Sequence, residues 1–240
     1  MSNLYIVATP IGNLEDITLR ALRVLKEVDF ILCEDTRVTG KLLEHHGIDT
    51  GTISYHQHSR LSKVNRILEF LKDGKDLALV SDSGTPGVSD PGGKLVEQVY
   101  QELGDKVEIE SVPGPSAVTA ALSISGLPAD KFLFLGFPPH KKARQKFLKK
   151  VISGEYPVVI YESKYRIMKF LKELEAGLEG NQGIKGGKQK KETTVVVCRE
   201  LSKMYETVYR GGVEEVRAQM DPERTGSRDD QKGEFVVIIS

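Results

Sequence analysis

The sequence has no net charge, only two cysteines and no long apolar run. Its 34 lysines and arginines balance 34 aspartates and glutamates. Any binding of nucleic acid must therefore depend on local basic patches and not on a global positive field. The two cysteines, Cys33 and Cys198, lie in apolar runs. Both are predicted to be small core side chains, and a disulfide framework is not indicated.

Targeting and membrane signals are missing as well. The N-terminus has neither the basic start nor the apolar stretch of a signal peptide. No apolar run approaches the length of a membrane span. We therefore expect a cytoplasmic protein without a membrane segment.

The sequence contains a glycine-rich loop, although it lacks both the Walker A motif and the glycine fingerprint of Rossmann folds. The loop, residues 81–93, follows an apolar run at residues 77–80 that predicts a buried parallel strand. Its four glycines allow a close approach of the backbone to a ligand, and its two prolines stiffen it. Open α/β sheets bind ligands beyond the carboxyl ends of their strands, so we expect a small molecule here. A rigid structural crossover is the alternative.

Predicted strands and helices alternate along the chain, whose 240 residues suffice for one large or two small domains. The βαβα order predicts an N-terminal α/β domain over residues 1–125, with a mainly parallel sheet covered by helices. A second α/β domain is expected over residues 126–240, with a ligand-binding cleft between the two. The basic, glycine-rich segment 176–192 is predicted to be a flexible surface loop, with contact to nucleic acid as an alternative.

Two acidic residues directly follow a predicted buried strand. Glu34 and Asp35 come after residues 29–33, and a carboxylate there can act as a base or orient a hydroxyl group. Neighbouring residues of a strand face opposite ways, so at most one of the two is expected to point into a site. The other is expected to cap a helix or to pair with Arg37. These three residues and His56 are the catalytic candidates.

A metal site is not expected from the histidines. His56 and His58 would lie on one face of a strand, and His45, His46 and Cys33 could be added to a zinc hypothesis. No C-x-x-C or H-E-x-x-H spacing accompanies them. Contact with a substrate or ordinary hydrogen bonding is the expected role of His56.

The densest basic patch falls in residues 140–150. It includes Lys141, Lys142 and Arg144. A chain without net charge would need such a patch to bind RNA, because phosphate contacts dominate that affinity. The alternative is an ordinary solvated helix face.

Several segments together resemble one known family. They are residues 4–18, 33–37, 80–92 and 112–117, followed by 134–139, 161–163, 198–203 and 232–235. These segments look like the tetrapyrrole-methylase superfamily of S-adenosylmethionine-dependent methyltransferases. Within it they resemble the ribosomal RNA small subunit methyltransferase I branch. The opening Ala-Thr-Pro-Ile-Gly-Asn and the later Glu-Asp-Thr-Arg are the most specific parts.

The resemblance implies a fold, an activity and a partner. It implies a class III methyltransferase of two α/β domains, with S-adenosylmethionine in the interdomain cleft and a homodimer as the assembly. The implied reaction is 2′-O-methylation of the ribose of a cytidine in the decoding region of 16S rRNA. The implied partner is 16S rRNA or the small ribosomal subunit.

S-adenosylmethionine carries no phosphate, so its site can be built from backbone groups and helix N-termini. Residues at the predicted strand ends and helix starts supply these groups, although Ser116 is equally expected to be an ordinary helix cap. The predicted cofactor-binding set is Pro10, Gly84, Thr85, Pro86, Gly87, Val88, Ser116, Ala117, Tyr161 and Glu162. The predicted RNA-binding set is Lys141, Lys142, Arg144 and Lys203.

The chain departs from the family pattern at two places, and the sequence leaves two alternative functions open. The chain stops soon after a predicted strand at residues 235–239, whereas many members carry a further helical extension. Segment 176–192 also looks like an insertion.

A tetrapyrrole methyltransferase is one alternative function, but it would need a roomy apolar cleft, whereas this chain offers Arg37, His56 and Arg60. A non-catalytic, cofactor-binding assembly factor is the other.

Overall fold

A computed structural model of the chain describes residues 1–56, 61–180, 193–221 and 232–240. His58, Arg60 and residues 181–192 of the glycine-rich segment lie outside the described residues. The Cα positions group into two compact units, Met1–Ser116 and Ala117–Ser240.

The first unit is built on a five-stranded sheet. Its strands are β1 (Ser2–Val7), β2 (Phe30–Cys33), β3 (Thr52–Ser54), β4 (Leu77–Val80) and β5 (Val107–Val112). Their order in the sheet is β3-β2-β4-β1-β5, and every neighbouring pair runs parallel. The prediction of a mainly parallel sheet is confirmed.

Four helices cover both faces of this sheet. They are α1 (Leu19–Glu27), α2 (Thr36–His45), α3 (Leu61–Lys72) and α4 (Gly92–Leu103). Helices α1 and α2 share a core with Val7 and Ile31, whereas α3 and α4 share one with Leu4 and Leu32. Successive residues of a strand point to opposite faces, so unbroken apolar runs such as β4 supply both cores.

The second unit contains a mixed sheet. Its strands are β6 (Leu133–Phe134), β7 (Val158–Ser163), β8 (Val195–Arg199), β9 (Thr207–Gly211) and β10 (Glu234–Ile239). In the order β6-β7-β10-β8-β9, β6 runs parallel to β7 and the other pairs are antiparallel. Its helices are α5 (Ala117–Ser125), α6 (Ala143–Ile152), α7 (Ile167–Gly180) and α8 (Val213–Gln219).

Helix α5 marks a difference from the sequence-based boundary after residue 125. It groups with the second unit because it contacts β10. The guanidinium of Arg210 also donates a hydrogen bond to the carbonyl of Ser125, at 3.2 Å. The sequence-based boundary followed the turn at the end of α5 and so placed the helix in the first domain. Only the packing of α5 shows that it belongs to the second unit.

Two elements of the second unit differ from the sequence-based predictions. Strand β9 was not predicted, because Tyr209 is its only buried residue and a short edge strand has little apolar alternation. The prediction of a loop from residue 176 is wrong for residues 176–180, which continue α7. Leu178 packs against the core there, and this burial outweighs the low helix propensity of the neighbouring glycines.

Both cysteines are buried and carry free thiols, as predicted. Burial raises the pKa of Cys33 above its usual value and raises the pKa of Cys198 to about 12. Neither thiol is therefore a reactive nucleophile at neutral pH. Within the described residues, no helix combines the length and apolar character needed to cross a membrane.

Thr18 provides a test of the local structure of the first unit. Its hydroxyl accepts a hydrogen bond from the amide of Ala21 at 3.1 Å and caps α1. We expect Thr18→Ala to lower the free energy of unfolding by about 1 kcal/mol, measured by urea denaturation. Thr18→Ser keeps the hydroxyl and should retain most of the stability. Equal stability of Thr18→Ala and the parent would contradict a contribution from the cap.

Candidate functional site

The carboxyl edge of the parallel sheet is the candidate site of the first unit. Strands β2 and β4 are neighbours, yet the helices that follow them, α2 and α4, pack on opposite faces. Their connections therefore turn to opposite faces of the sheet, an arrangement that opens a crevice in sheets of this kind. Open α/β sheets bind ligands at such a crevice. Glu34 follows β2 here, and the glycine-rich loop at residues 81–93 follows β4.

The glycine-rich loop is tied to the end of β1 by a pair of backbone hydrogen bonds. The Thr9 amide donates to the Gly84 carbonyl at 3.0 Å, and the Gly84 amide donates to the Thr9 carbonyl at 3.1 Å. The Thr9 hydroxyl also donates to the carbonyl of Ser81 at 3.1 Å. Gly84 has a φ of +82°, a conformation that L side chains rarely adopt, so this bridge requires glycine.

A second tie connects the loop to the segment after β5. The Thr85 hydroxyl donates to the carbonyl of Pro115 at 3.1 Å. Pro115 directly precedes Ser116, and Thr9 directly precedes Pro10. The structure therefore brings together, within the first unit, the three chain segments that carry predicted cofactor-binding residues.

Asp90 closes the outer half of the loop. Its Oδ1 accepts hydrogen bonds from the amides of Gly87 and Gly92, both at 2.7 Å. Gly87 and Val88 are exposed at the tip, whereas Pro86 is buried. The tip is thus held in one shape with its backbone open to a ligand. This role of Asp90 was not predicted, although aspartate, proline and glycine in succession, as at residues 90–92, are a common turn signal.

The two adjacent acids after β2 have different roles. Asp35 caps α2 by accepting the amide of Arg37 at 2.9 Å, and the Arg37 guanidinium binds the same carboxylate at 2.6 Å. This hydrogen bonding with Arg37 lowers the pKa of Asp35 to about 2. The sequence-based alternative for one acid, a helix cap paired with Arg37, therefore describes Asp35.

Glu34 has no ion pair or side-chain hydrogen bond within the described part of the chain. Burial raises the pKa of its carboxyl group, and the negative charges of Asp82 and Asp90 raise it further. Asp82 also accepts the Asp35 amide at 3.2 Å and links the two loops. Glu34 is therefore a half-buried carboxyl group with a raised pKa and no counter-ion among the described residues, which is typical of functional acids.

Arg37 and His56 lie at the same edge. The Arg37 side chain is 86% exposed even though it binds Asp35. His56 is exposed and follows β3 by two residues. Strand β3 runs parallel to β2, so both residues border the carboxyl edge. Among the described residues, no group of three histidine, cysteine or acidic side chains is arranged to hold a metal ion.

The strand-end residues of the second unit, Tyr161 and Glu162, are more enclosed than the sequence suggested. Tyr161 is half-buried, with its ring 5.0 Å from that of Phe134, and burial raises its pKa. Glu162 is only 1% exposed, and its Oε1 lies 2.9 Å from Nε of Arg166. A carboxylate held in this way stabilises the unit, and its contact with the cofactor stays a prediction.

Two predicted RNA-binding residues are also engaged within the fold. Arg144 is 7% exposed and forms an ion pair with Glu173, so it does not belong to an exposed basic surface. The spacing of Arg144, Leu148 and Val151 along α6 carried this signal, because residues at i, i+4 and i+7 share a helix face. Lys203 lies within 3.0 Å of a carboxylate oxygen of Glu200.

The other two residues of the predicted RNA-binding set are accessible to solvent. Lys141 and Lys142 are exposed at the start of α6. They have no ion pair with any acidic residue that the structure describes.

Comparison with known proteins identifies the family. Residues 3–217 match the family described as Tetrapyrrole (Corrin/Porphyrin) Methylases. The chain therefore belongs to the tetrapyrrole methylase family. Its fold is similar to that of the methyltransferase CobJ, with a TM-score of 0.68 and 17% identity over 100% of this chain and 94% of that one. The expected class of fold, two α/β domains of the tetrapyrrole-methylase type, is confirmed.

Closer relatives place the chain in one branch of this family. It is 42% identical to "Ribosomal RNA small subunit methyltransferase I" of Hydrogenobaculum sp., over 99% of this chain and 95% of the relative. It is 40% identical to the protein of the same name from Thermotoga maritima, over 100% of this chain and 99% of the relative. The resemblance to the branch of that name is confirmed.

The two adjacent glycines at the start of α4 test the role of Asp90. A Cβ on Gly92 would lie 2.9 Å from Oδ1 of Asp90 and 3.0 Å from the amide nitrogen of Gly87. A Cβ on Gly93 would meet nothing within 4 Å. We expect Gly92→Ala to lower the free energy of unfolding by about 1–3 kcal/mol, measured by urea denaturation. Gly93→Ala should match the parent or exceed it slightly. Equal effects of both variants would contradict the close packing around Asp90.

The ion pair of Arg37 with Asp35 makes a prediction about pH. We expect Arg37→Ala to raise the pKa of Asp35 from about 2 towards its ordinary 3.8, measured by carbon NMR of the side-chain carboxyl group. A lowered pKa stabilises the fold above the ordinary value, and this stability is lost as the pH falls through the folded-state pKa. The stability that Asp35 supplies above its ordinary pKa should therefore be smaller in the variant, because the folded-state and unfolded-state pKa values lie closer together.

Arg23→Ala is the matched control, because Arg23 pairs with Glu27 on the exposed face of α1. It should leave the pKa of Asp35 at about 2. An unchanged Asp35 pKa in Arg37→Ala would show that the backbone hydrogen bonds alone cause the shift.

Proposed function

We propose that this protein transfers the methyl group of S-adenosylmethionine to the 2′-hydroxyl of a cytidine ribose in the decoding region of 16S rRNA. The observation that carries the proposal is the anchored loop beside Glu34 at the carboxyl edge of the first sheet. Membership of the tetrapyrrole methylase family supports S-adenosylmethionine as the methyl donor. The name shared by the relatives from Hydrogenobaculum sp. and Thermotoga maritima supports small-subunit ribosomal RNA as the acceptor.

The chemistry of the loop fits the donor. S-adenosylmethionine supplies a methyl group on a positively charged sulfonium and has no phosphate. Residues 81–93 contain no lysine or arginine and contain two aspartates, so the loop would repel a phosphate and attract a cation. The exposed backbone at Gly87 and Val88 would contact the polar groups of the donor, and Glu34, Asp82 and Asp90 would balance its positive charge.

Glu34 is the proposed base or orienting group for the acceptor hydroxyl. Its carboxylate has no cationic partner among the residues that the structure describes, and it is half-buried whereas the neighbouring Asp82 is exposed. A carboxylate within hydrogen-bond reach would accept the hydroxyl proton and align the oxygen for attack. Most of the remaining acceleration would come from alignment of the two reactants. Arg37 is exposed, and its unused guanidinium hydrogens would contact a phosphate of the RNA backbone.

The tetrapyrrole acceptor is less well supported. Similarity to CobJ at 17% identity concerns the fold alone, whereas the relatives at 40% identity or more carry a ribosomal RNA name. A homodimer that acts in the cytoplasm, where ribosomal RNA is found, belongs to the same proposal.

The test is methyl transfer from S-adenosylmethionine to small ribosomal subunits, followed by mass spectrometry of the RNA nucleosides. We expect the parent to produce 2′-O-methylcytidine. Glu34→Gln should lower the rate about 100-fold or more, while the affinity for S-adenosylmethionine in calorimetry changes little. This pattern indicates lost transition-state stabilisation. As Glu34 must be ionised to act, the parent rate should rise with pH through a pKa above the ordinary 4.5.

Glu102→Gln is the matched control, because Glu102 is an exposed glutamate near the end of α4. It should keep the parent rate and pH profile. A Glu34→Gln variant that turns over at the parent rate would exclude Glu34 as the base. Methylation of a porphyrin precursor without methylation of RNA would overturn the proposed acceptor.

A further inference from the structure

One surface of the second unit combines exposed aromatic rings with lysines. We name it the lysine–aromatic surface, and it consists of Phe137, Lys141, Lys142, Lys164 and Tyr165. The first three lie between β6 and α6, and the other two lie in the turn between β7 and α7. Tyr165 is 84% exposed and Phe137 is 52% exposed. Rings that are this exposed contribute little to the core of the unit.

Arg166 joins the two segments that form this surface. Its Nη1 donates to the carbonyl of Pro138 at 3.1 Å, and its backbone amide donates to the carbonyl of Ser163 at 2.9 Å. Its Nε lies 2.9 Å from the buried carboxylate of Glu162. The two segments are therefore held side by side by a cation that is anchored in the interior. The backbone that carries the exposed side chains is therefore fixed by these contacts.

The charges beneath the surface cancel one another, whereas those on it do not. Arg144 and Arg166 are paired with Glu162 and Glu173. Lys141, Lys142 and Lys164 are exposed, and none of them has an acidic partner among the described residues. The surface is therefore locally positive, although the whole chain has no net charge. A local positive patch of this kind attracts a polyanion.

The rings of Tyr165 and Phe137 expose their faces to solvent beside these lysines. The ammonium of Lys164 lies 5.1 Å from the ring centre of Tyr165, which leaves most of this highly exposed ring open to a ligand. The ring of Phe137 packs against Tyr161, with centres 5.4 Å apart and planes at 61°. Half-buried Tyr161 thus supports Phe137 from below.

We propose that the lysine–aromatic surface binds a single-stranded segment of RNA. Tyr165 and Phe137 stack on unpaired bases, and Lys141, Lys142 and Lys164 contact the neighbouring phosphates. Interleaved rings and cations are typical of surfaces that bind single strands, because every base offers a face for stacking. A duplex keeps its bases stacked on each other and would use only the lysines. The inference rests on the proposed function for its RNA partner.

The test compares the affinities of variants for two RNA probes by fluorescence anisotropy. One probe is a labelled 12-nucleotide single strand of mixed sequence, and the other is a duplex of the same length. We expect Tyr165→Ala to weaken binding of the single strand about tenfold, the loss of one stacked base, and to leave duplex binding unchanged. Tyr165→Phe keeps the ring and should bind both probes like the parent.

Two further variants separate stacking from charge. Lys141→Ala should lower the slope of log affinity against log salt by about 0.7 for the single strand, the effect of one lost phosphate contact. Tyr165→Ala should leave this slope unchanged. Tyr100→Ala, which removes a ring that is 60% exposed in the first unit, is the matched control and should bind like the parent.

The outcomes distinguish this inference from the proposed function. Tyr165→Ala that binds and methylates small subunits like the parent would overturn the surface and leave the methyltransferase intact. Equal weakening for the single strand and the duplex would overturn stacking as the mode of binding. A parent that binds the single strand through Tyr165 but methylates no RNA would support the surface and contradict the proposed activity.

Discussion

The candidate site depends on the pair of backbone hydrogen bonds between Thr9 and Gly84. These bonds continue the contact of β1 with β4 beyond the parallel sheet and hold the glycine-rich loop over its carboxyl edge. The arrangement requires a positive φ at Gly84, so a side chain there would be strained. The tie of Thr85 to Pro115 and the turn closed by Asp90 both depend on the loop leaving β4 in this direction.

The same edge shows how two adjacent carboxylates acquire different chemistry. Asp35 is the first residue before a helix, so its carboxylate meets backbone amides and the guanidinium of Arg37, and its pKa falls. Glu34 is one residue closer to the sheet, where burial and the charges of Asp82 and Asp90 raise its pKa. Asp35 stabilises the start of α2, whereas Glu34 is the acid that we propose for contact with a ligand. Pairs of acids with separated pKa values often divide roles in this way.

In the second unit, a buried ion-pair network decides which charges reach solvent. Glu162 and Glu173 neutralise Arg144 and Arg166 below the surface. Burying ions is costly unless they are paired, and here each of the four side chains has a partner of opposite charge. The exposed Lys141, Lys142 and Lys164 of the neighbouring loops have no acidic partner among the described residues. The exposed rings of Phe137 and Tyr165 lie among them.

The sequence by itself determined the order of elements and the parallel sheet of the first unit, the buried thiols and the family, because these depend on local periodicity, composition and motifs. It also located the loop at residues 81–93 and the two acids after β2. Only the tertiary structure decided that Asp35 binds Arg37 while Glu34 has no ion pair with the residues described, that α5 joins the second unit, and that Arg144 and Glu162 are buried. Those outcomes depend on which side chains meet across distant segments, and a linear pattern of charges does not contain that information.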